Sequence, residues 1–171
     1  MLRIVSDGKF NERGEDAGAY TARWYLKEKS AAGEVFRDMR NVLLQAEAGS
    51  ERNGLVAYAM PNETLKGLDG SMVRPVFRGR GFPAIPAADC GAYSTARVLC
   101  YCANTHFPVA GAGYFRGNGV SFDGDAWSTY HMLRWISRSA VRDGEPVTVY
   151  VPSKRMRGLL EGWIEQAACN S

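Results

Sequence analysis

The sequence predicts an α/β fold built as two unequal repeats, residues 1–70 and 71–171, packed into one body. Three observations predict it. Short blocks in the first 70 residues return in the same order in the rest of the chain: LRIVSDGK (2–9) as VRPVFRGR (73–80), GAYTAR (18–23) as GAYSTAR (91–97), and MPNETLKGL (60–68) as VPSKRMRGL (151–159). Segments with apolar residues at every second position alternate with segments at helical spacing. A lobe of about 70 residues has a core that is marginal alone, so the copies are expected to pack together.

In the first copy, residues 2–6 read as a strand and are followed by a polar loop. Tyr20, Ala22, Trp24 and Leu26 then alternate with Thr21, Arg23, Tyr25 and Lys27, which predicts a second strand with one wet face. From Ser30 the period changes. Val35, Phe36, Met39, Val42, Leu43 and Ala46 fall on one helical stripe, with Gly49 as its stop. Residues 55–60 predict a buried strand, and Asn62 after Pro61 caps a short helix.

The second copy repeats the plan with more material. Strands are predicted over 73–77 and 95–102, then a Gly-rich third strand over 107–115. A helix follows with Trp127, Tyr130, Leu133, Ile136 and Ala140 on its inner stripe, and Val147, Val149 and Val151 alternate in the next strand. Ser153 caps a last helix that carries Met156, Leu159, Leu160, Trp163 and Ile164 on one face.

Composition sets the broad class. Apolar residues make up 46% of the 171 and charged residues 23%, the balance of an ordinary soluble globule. Uninterrupted apolar stretches stop well short of the roughly 20 residues of a membrane span, and the N-terminus has no signal-peptide core, so the expected location is the cytoplasm. The net charge of +3 is unevenly placed: the first 70 residues hold 10 basic and 11 acidic side chains, the remainder 11 and 7. Ten of those 11 are Arg, whose forked guanidinium suits phosphate or carboxylate. Cys90, Cys100, Cys102 and Cys169 form no C-x-x-C pair, and only His106 and His131 could complete a metal set, so buried thiols are expected, with no metal and no cofactor.

The order of elements resembles the ribonuclease H-like fold. Ser6-Asp7-Gly8 resembles that family's first turn, residues 91–115 its second and third strands, and residues 147–164 its fourth strand and following helix. The resemblance implies mixed sheets with flanking helices in both copies. It also implies a two-metal carboxylate site, and here the chain departs from the family. Asp7 matches the first carboxylate, but its counterpart in the second copy is Arg78, and Pro61 and Pro152 stand where the fourth-strand Asp belongs. Glu34 or Asp38, and Asp125, are loose matches for the helical carboxylate. A fold without its catalytic centre is therefore expected.

What remains is a basic surface. Arg74, Arg78 and Arg80 flank the first strand of the second copy, and Lys154, Arg155 and Arg157 open its last helix. The resemblance makes these two places neighbours, and a helix N-terminus adds its own attraction for anions. The leading expectation is a non-catalytic protein that binds the nucleic-acid backbone through these six side chains, sequence-nonspecifically. The alternative is a protein-binding inhibitor or adaptor acting on a nucleic-acid-processing enzyme, of the kind mobile elements carry. A third is a metal-dependent nuclease with a composite site joining Asp7 to Asp89, Asp123 or Asp125. No G-x-S-x-G elbow, phosphate-cradling loop, H-E-x-x-H or dinucleotide fingerprint occurs.

Overall fold

The computed structural model describes residues 2–5, 11–28, 30–46, 56–67, 79–85 and 93–169. Its strands are β1 (Leu2–Ile4), β2 (Val56–Met60), β3 (Gly79–Pro83), β4 (Val98–Tyr101) and β5 (Val147–Tyr150). The helices are α1 (Ala22–Lys27), α2 (Ala31–Ala46), α3 (Asn62–Gly67), α4 (Val109–Gly117), α5 (Gly124–Ile136) and α6 (Lys154–Cys169), with 3-10 turns at Glu12–Glu15 and Ala140–Asp143.

All the strands join one sheet in the order β1-β5-β4-β2-β3, and every pairing is parallel. The expected mixed sheets are therefore replaced by a single parallel one. The two halves of the chain interleave in it, since β1 pairs with β5, and β2 lies between β3 and β4.

Strand sequences explain why the sheet is buried on both sides. Val56, Tyr58 and Met60 face one layer together with Val98, Cys100, Cys102 and Tyr150, where α2 supplies Val35, Phe36, Met39, Val42 and Leu43. Ala57 and Ala59 face the other with Leu99, Tyr101, Val147 and Val149, where α5 and α6 supply Met132, Trp135, Ile136, Met156 and Leu160. A parallel sheet needs such near-continuous apolar strands because crossover helices cover both faces. Each fully buried large side chain contributes roughly 1.5 to 3 kcal/mol.

Three predicted elements differ. Residues 20–27 form a turn and α1 instead of a strand, because Thr21 caps a helix by accepting the Trp24 N–H at 3.2 Å, leaving Tyr25 buried and Leu26 71% exposed. The predicted strand 107–115 is a loop and α4, which starts after Pro108, a residue that suits a helix start. On α5 the inner stripe is Ser128, Met132, Trp135 and Ile136, so Tyr130 points to solvent. The expected strand 73–77 lies outside the described residues.

Of the recurring blocks, the described residues of the third pair have the same order of elements, strand, Pro and helix. β2 leads through Pro61 into α3, and β5 leads through Pro152 into α6. In the second pair, 18–23 enters a helix whereas the described residues 93–97 lead into β4.

Candidate ligand-binding crevice

The strand order creates one special place. From β2 the chain leaves through α3 to β3 on one side, and from β4 it leaves through α4 and α5 to β5 on the other. The two connections diverge above the carboxyl ends of adjacent strands, which opens a crevice where parallel α/β sheets bind ligands. A cavity of about 620 Å³ lies here. Its walls are residues 21–23 at the start of α1, 61–63 at the start of α3, 83–85 after β3 and 104–106 after β4. Ala22, Pro61, Pro83, Ala84 and Ile85 give it apolar surface, while Arg23, Asn62, Glu63 and His106 supply exposed polar groups. That balance suits a ligand with a flat apolar part and a few hydrogen-bonding or charged groups.

The wall formed by 104–106 is held from behind. Arg155 donates through Nη1 to Asn104 Oδ1 at 3.1 Å and to the Thr105 carbonyl at 2.9 Å, and through Nη2 to Ser128 Oγ at 3.1 Å and to Asp125. Asn104 passes the restraint across the crevice: its backbone N–H donates to the Tyr20 carbonyl at 2.9 Å and its Nδ2 to the Ala17 carbonyl at 3.0 Å. Tyr20, fully buried, adopts φ 63, alone among non-glycine residues in the described chain. A bulky residue in that region is strained, and such strain persists only where its surroundings over-determine it.

His106 also lines a second, shallower groove of about 660 Å³ with Phe107, Phe122, Asp123 and Asp125. Burial lowers its pKa, helped by the nearby Arg155 charge and opposed by Asp125, so the imidazole is neutral near pH 7.

Of the six basic residues read from the sequence, four fall on described residues. Arg74 and Arg78 lie outside the described residues, and Arg80 sits on edge strand β3, paired by its backbone with Ala57 near the start of β2. Lys154, Arg155 and Arg157 stand at the other end of the strands, beyond β5. β2 and β4 intervene, a separation of roughly 14 Å across the sheet. The second group is moreover engaged within the protein. Lys154 Nζ meets Glu15 Oε2 at 2.6 Å, and Arg157 donates to the Val151 and Pro152 carbonyls at 3.2 Å and lies 3.7 Å from Glu15 Oε1.

Of the carboxylates considered for a metal site, four fall on described residues. Glu34 and Asp38 pair with Arg13 on the α2 side, Asp125 pairs with Arg155, and Asp123 caps α5 by accepting the Asp125 and Ala126 N–H groups at 2.9 Å. Asp7 and Asp89 lie outside the described residues. Among the described residues, no group of three His, Cys, Asp or Glu side chains could hold a metal ion, and no helix is long and apolar enough to cross a membrane. Sequence reasoning placed Arg23 on the wet face of a strand and gave Asn104 and Thr105 only a turn before a strand. The usable signal was Thr21 as a helix cap.

A parallel sheet covered on both faces, with its crevice where the connections diverge, defines a Rossmann-like α/β domain. The chain belongs to the YonV C-terminal Rossmann-like domain family, which matches residues 1–164. This, with the all-parallel sheet, overturns the ribonuclease H-like resemblance. The chain is 29% identical over 165 residues to the SPbeta prophage-derived uncharacterized protein YonV of Bacillus subtilis (strain 168), covering 94% of this chain and 38% of that relative's length. No solved structure matches.

Proposed function

We propose that this domain is a non-catalytic binding module and that its ligand is a nucleotide unit, free or within a nucleic-acid strand, seated in the crevice between β2 and β4. The observation that carries this reading is the position of the crevice at the divergence of two connections, lined by an apolar surface and a polar rim. A base fits against Ala22, Pro83, Ala84 and Ile85. Arg23 suits a phosphate, and Glu63 and Asn62 suit sugar hydroxyls or base edges. This keeps the nucleic-acid partner expected from the sequence and moves its contact from the start of α6, where the cations are already engaged. The rim holds one carboxylate, Glu63, and one imidazole, His106, which favours binding over hydrolysis. The reduced, buried Cys100 and Cys102 fit a cytoplasmic setting, and the shared strand-Pro-helix passages at 60–62 and 151–154 fit an ancestral duplication of a βα unit.

Calorimetric titration with AMP and with an eight-residue oligothymidylate tests the reading. Saturable binding by either, weakened about tenfold by Arg23→Ala, supports it. No binding by either at millimolar concentration removes it.

A second reading has its own observation. No residue of α4 is buried, and Val109 at 88% exposure, Tyr114 at 69% and Tyr130 at 57% leave an apolar surface open. This favours the inhibitor or adaptor alternative, and the prophage origin in the relative's name fits such a role. A Tyr114→Asp, Tyr130→Asp variant that loses a protein partner but keeps AMP binding separates the two readings.

A further inference from the structure

We infer that Arg155 is a positioning residue that sets the geometry of the crevice, acting through Asn104 on the strained turn at Tyr20. The inference deepens the nucleotide-binding reading and rests on it for its consequence, though the relay itself can be observed without any ligand.

The chain of contacts is continuous. Arg155 is anchored on α6, and its side chain is 26% exposed. Ser128 and Asp125 on α5 hold one half of its fork, while Asn104 Oδ1 and the Thr105 carbonyl take the other. Asn104 is 5% exposed, and its amide is committed on both sides: the oxygen accepts from Arg155 and the nitrogen donates to Ala17. Its backbone N–H meets the carbonyl of Tyr20, the residue with φ 63. Immediately after Tyr20 come Thr21, Ala22 and Arg23, which form the opposite wall. One hydrogen-bonded path therefore runs from the α5/α6 layer, under the 104–106 wall, to the wall that carries Arg23.

The chemistry requires an arginine here. Its planar fork presents donors in fixed directions and reaches separate acceptors at once, whereas a lysine is a point charge on a flexible stem and cannot span them. Without the fork, the Asn104 oxygen loses its partner and the amide is free to rotate, which loosens its grip on Ala17. The turn at Tyr20 then has less to hold it in a conformation it does not prefer. Arg23 would lose its fixed position, although it touches neither Arg155 nor Asn104 in the described contacts.

Backbone hydrogen exchange on the full chain tests the relay, because the Asn104 N–H is itself the reporter and local opening is read separately from global unfolding. Arg155→Lys should speed exchange at Asn104 and at residues 21–25 by about tenfold or more, with far smaller changes along α2. Asn104→Asp, which keeps the acceptor for Arg155 and removes the donor to Ala17, should speed exchange over 21–25 while leaving Ser128 protected. Arg142→Lys, exposed on a remote 3-10 turn, should change neither region. Exchange at 21–25 that stays at the wild-type rate in both relay variants overturns the inference. AMP titration then reports the consequence: a wild type that binds AMP should weaken about tenfold in Arg155→Lys. A wild type that binds neither AMP nor the eight-residue oligothymidylate removes the nucleotide reading, while the exchange result still decides the relay.

Discussion

Gly14 lies against the carbonyl of Pro152 so closely that a Cβ at that position would stand 1.6 Å from the oxygen and 2.6 Å from the carbon. The contact joins the N-terminal 3-10 turn to the passage between β5 and α6. It is reinforced on both sides, by Arg13 reaching Glu34 and Asp38 on α2 and by Glu15 reaching Lys154 and Arg157 on α6. The turn thus straps the two helical layers together across the carboxyl edge of the sheet.

Gly14→Ala should therefore be costly although it adds one methyl group. The neighbouring atoms are backbone and cannot swing aside, so the strap must lift. A loss of about 2 to 3 kcal/mol is expected, read as a lower urea midpoint with an unchanged slope. An alanine variant as stable as wild type would show that the strap is not packed as described.

The ion pair at the end of the strap makes a pH-dependent contribution. Glu15 has its pKa lowered, chiefly by the hydrogen bond from Lys154 and further by the charges of Lys154 and Arg157, with slight burial opposing them. A carboxyl lowered in the folded state contributes stability that is present above its unfolded value near 4.5 and is lost as pH falls through the folded value. The stability difference between wild type and Glu15→Gln should thus shrink as pH drops from about 5 to about 3. A constant difference over that range would mean that the pair does not form.

Thiol chemistry gives an independent check on the core. Burial pushes the thiols of Cys100 and Cys102 upward, and both lie on the α2 side of the sheet with no exposed surface. Cys169 is exposed on the last helix. Under native conditions a disulfide reagent should modify Cys169 and spare Cys100 and Cys102 until the protein unfolds, as mapped by peptide mass. Modification of Cys102 in the folded protein would place the 102–106 segment differently from the arrangement found.

What the sequence revealed and what it hid follow from element length. The stripe of α2, the apolar run of β2, the alternation in β5 and, apart from the exposed Trp163, the amphipathic face of α6 were legible, because long or fully buried segments carry a periodic signal that no competing pattern matches. Residues 20–27 are too few to separate a period of two from one of 3.6, and the cap at Thr21 decides the matter. The Gly-rich stretch before Gly117 has weak preference either way, and Pro108 sets it as a helix start. Strand order was not legible at all. Which strands neighbour each other depends on crossovers that leave no local mark, so the backbone of Arg80 on β3 and that of Lys154 after β5, adjacent under a ribonuclease H-like order, lie three strands apart. The crevice was hidden for the same reason: Arg23, Asn62, Glu63 and His106 share no motif, and only the divergence of β2 and β4 brings them together.

The most direct test of the account is a map of amide chemical-shift changes when AMP is titrated into the isotope-labelled domain. Seating in the crevice predicts that shifts concentrate at residues 21–23, 62–63, 84–85 and 104–106, with the side chain of Arg23 among the strongest, and that they saturate together. Shifts confined to the first turn of α6 at Lys154, Arg155 and Arg157, with the crevice silent, would contradict it and return the binding surface to the basic helix start.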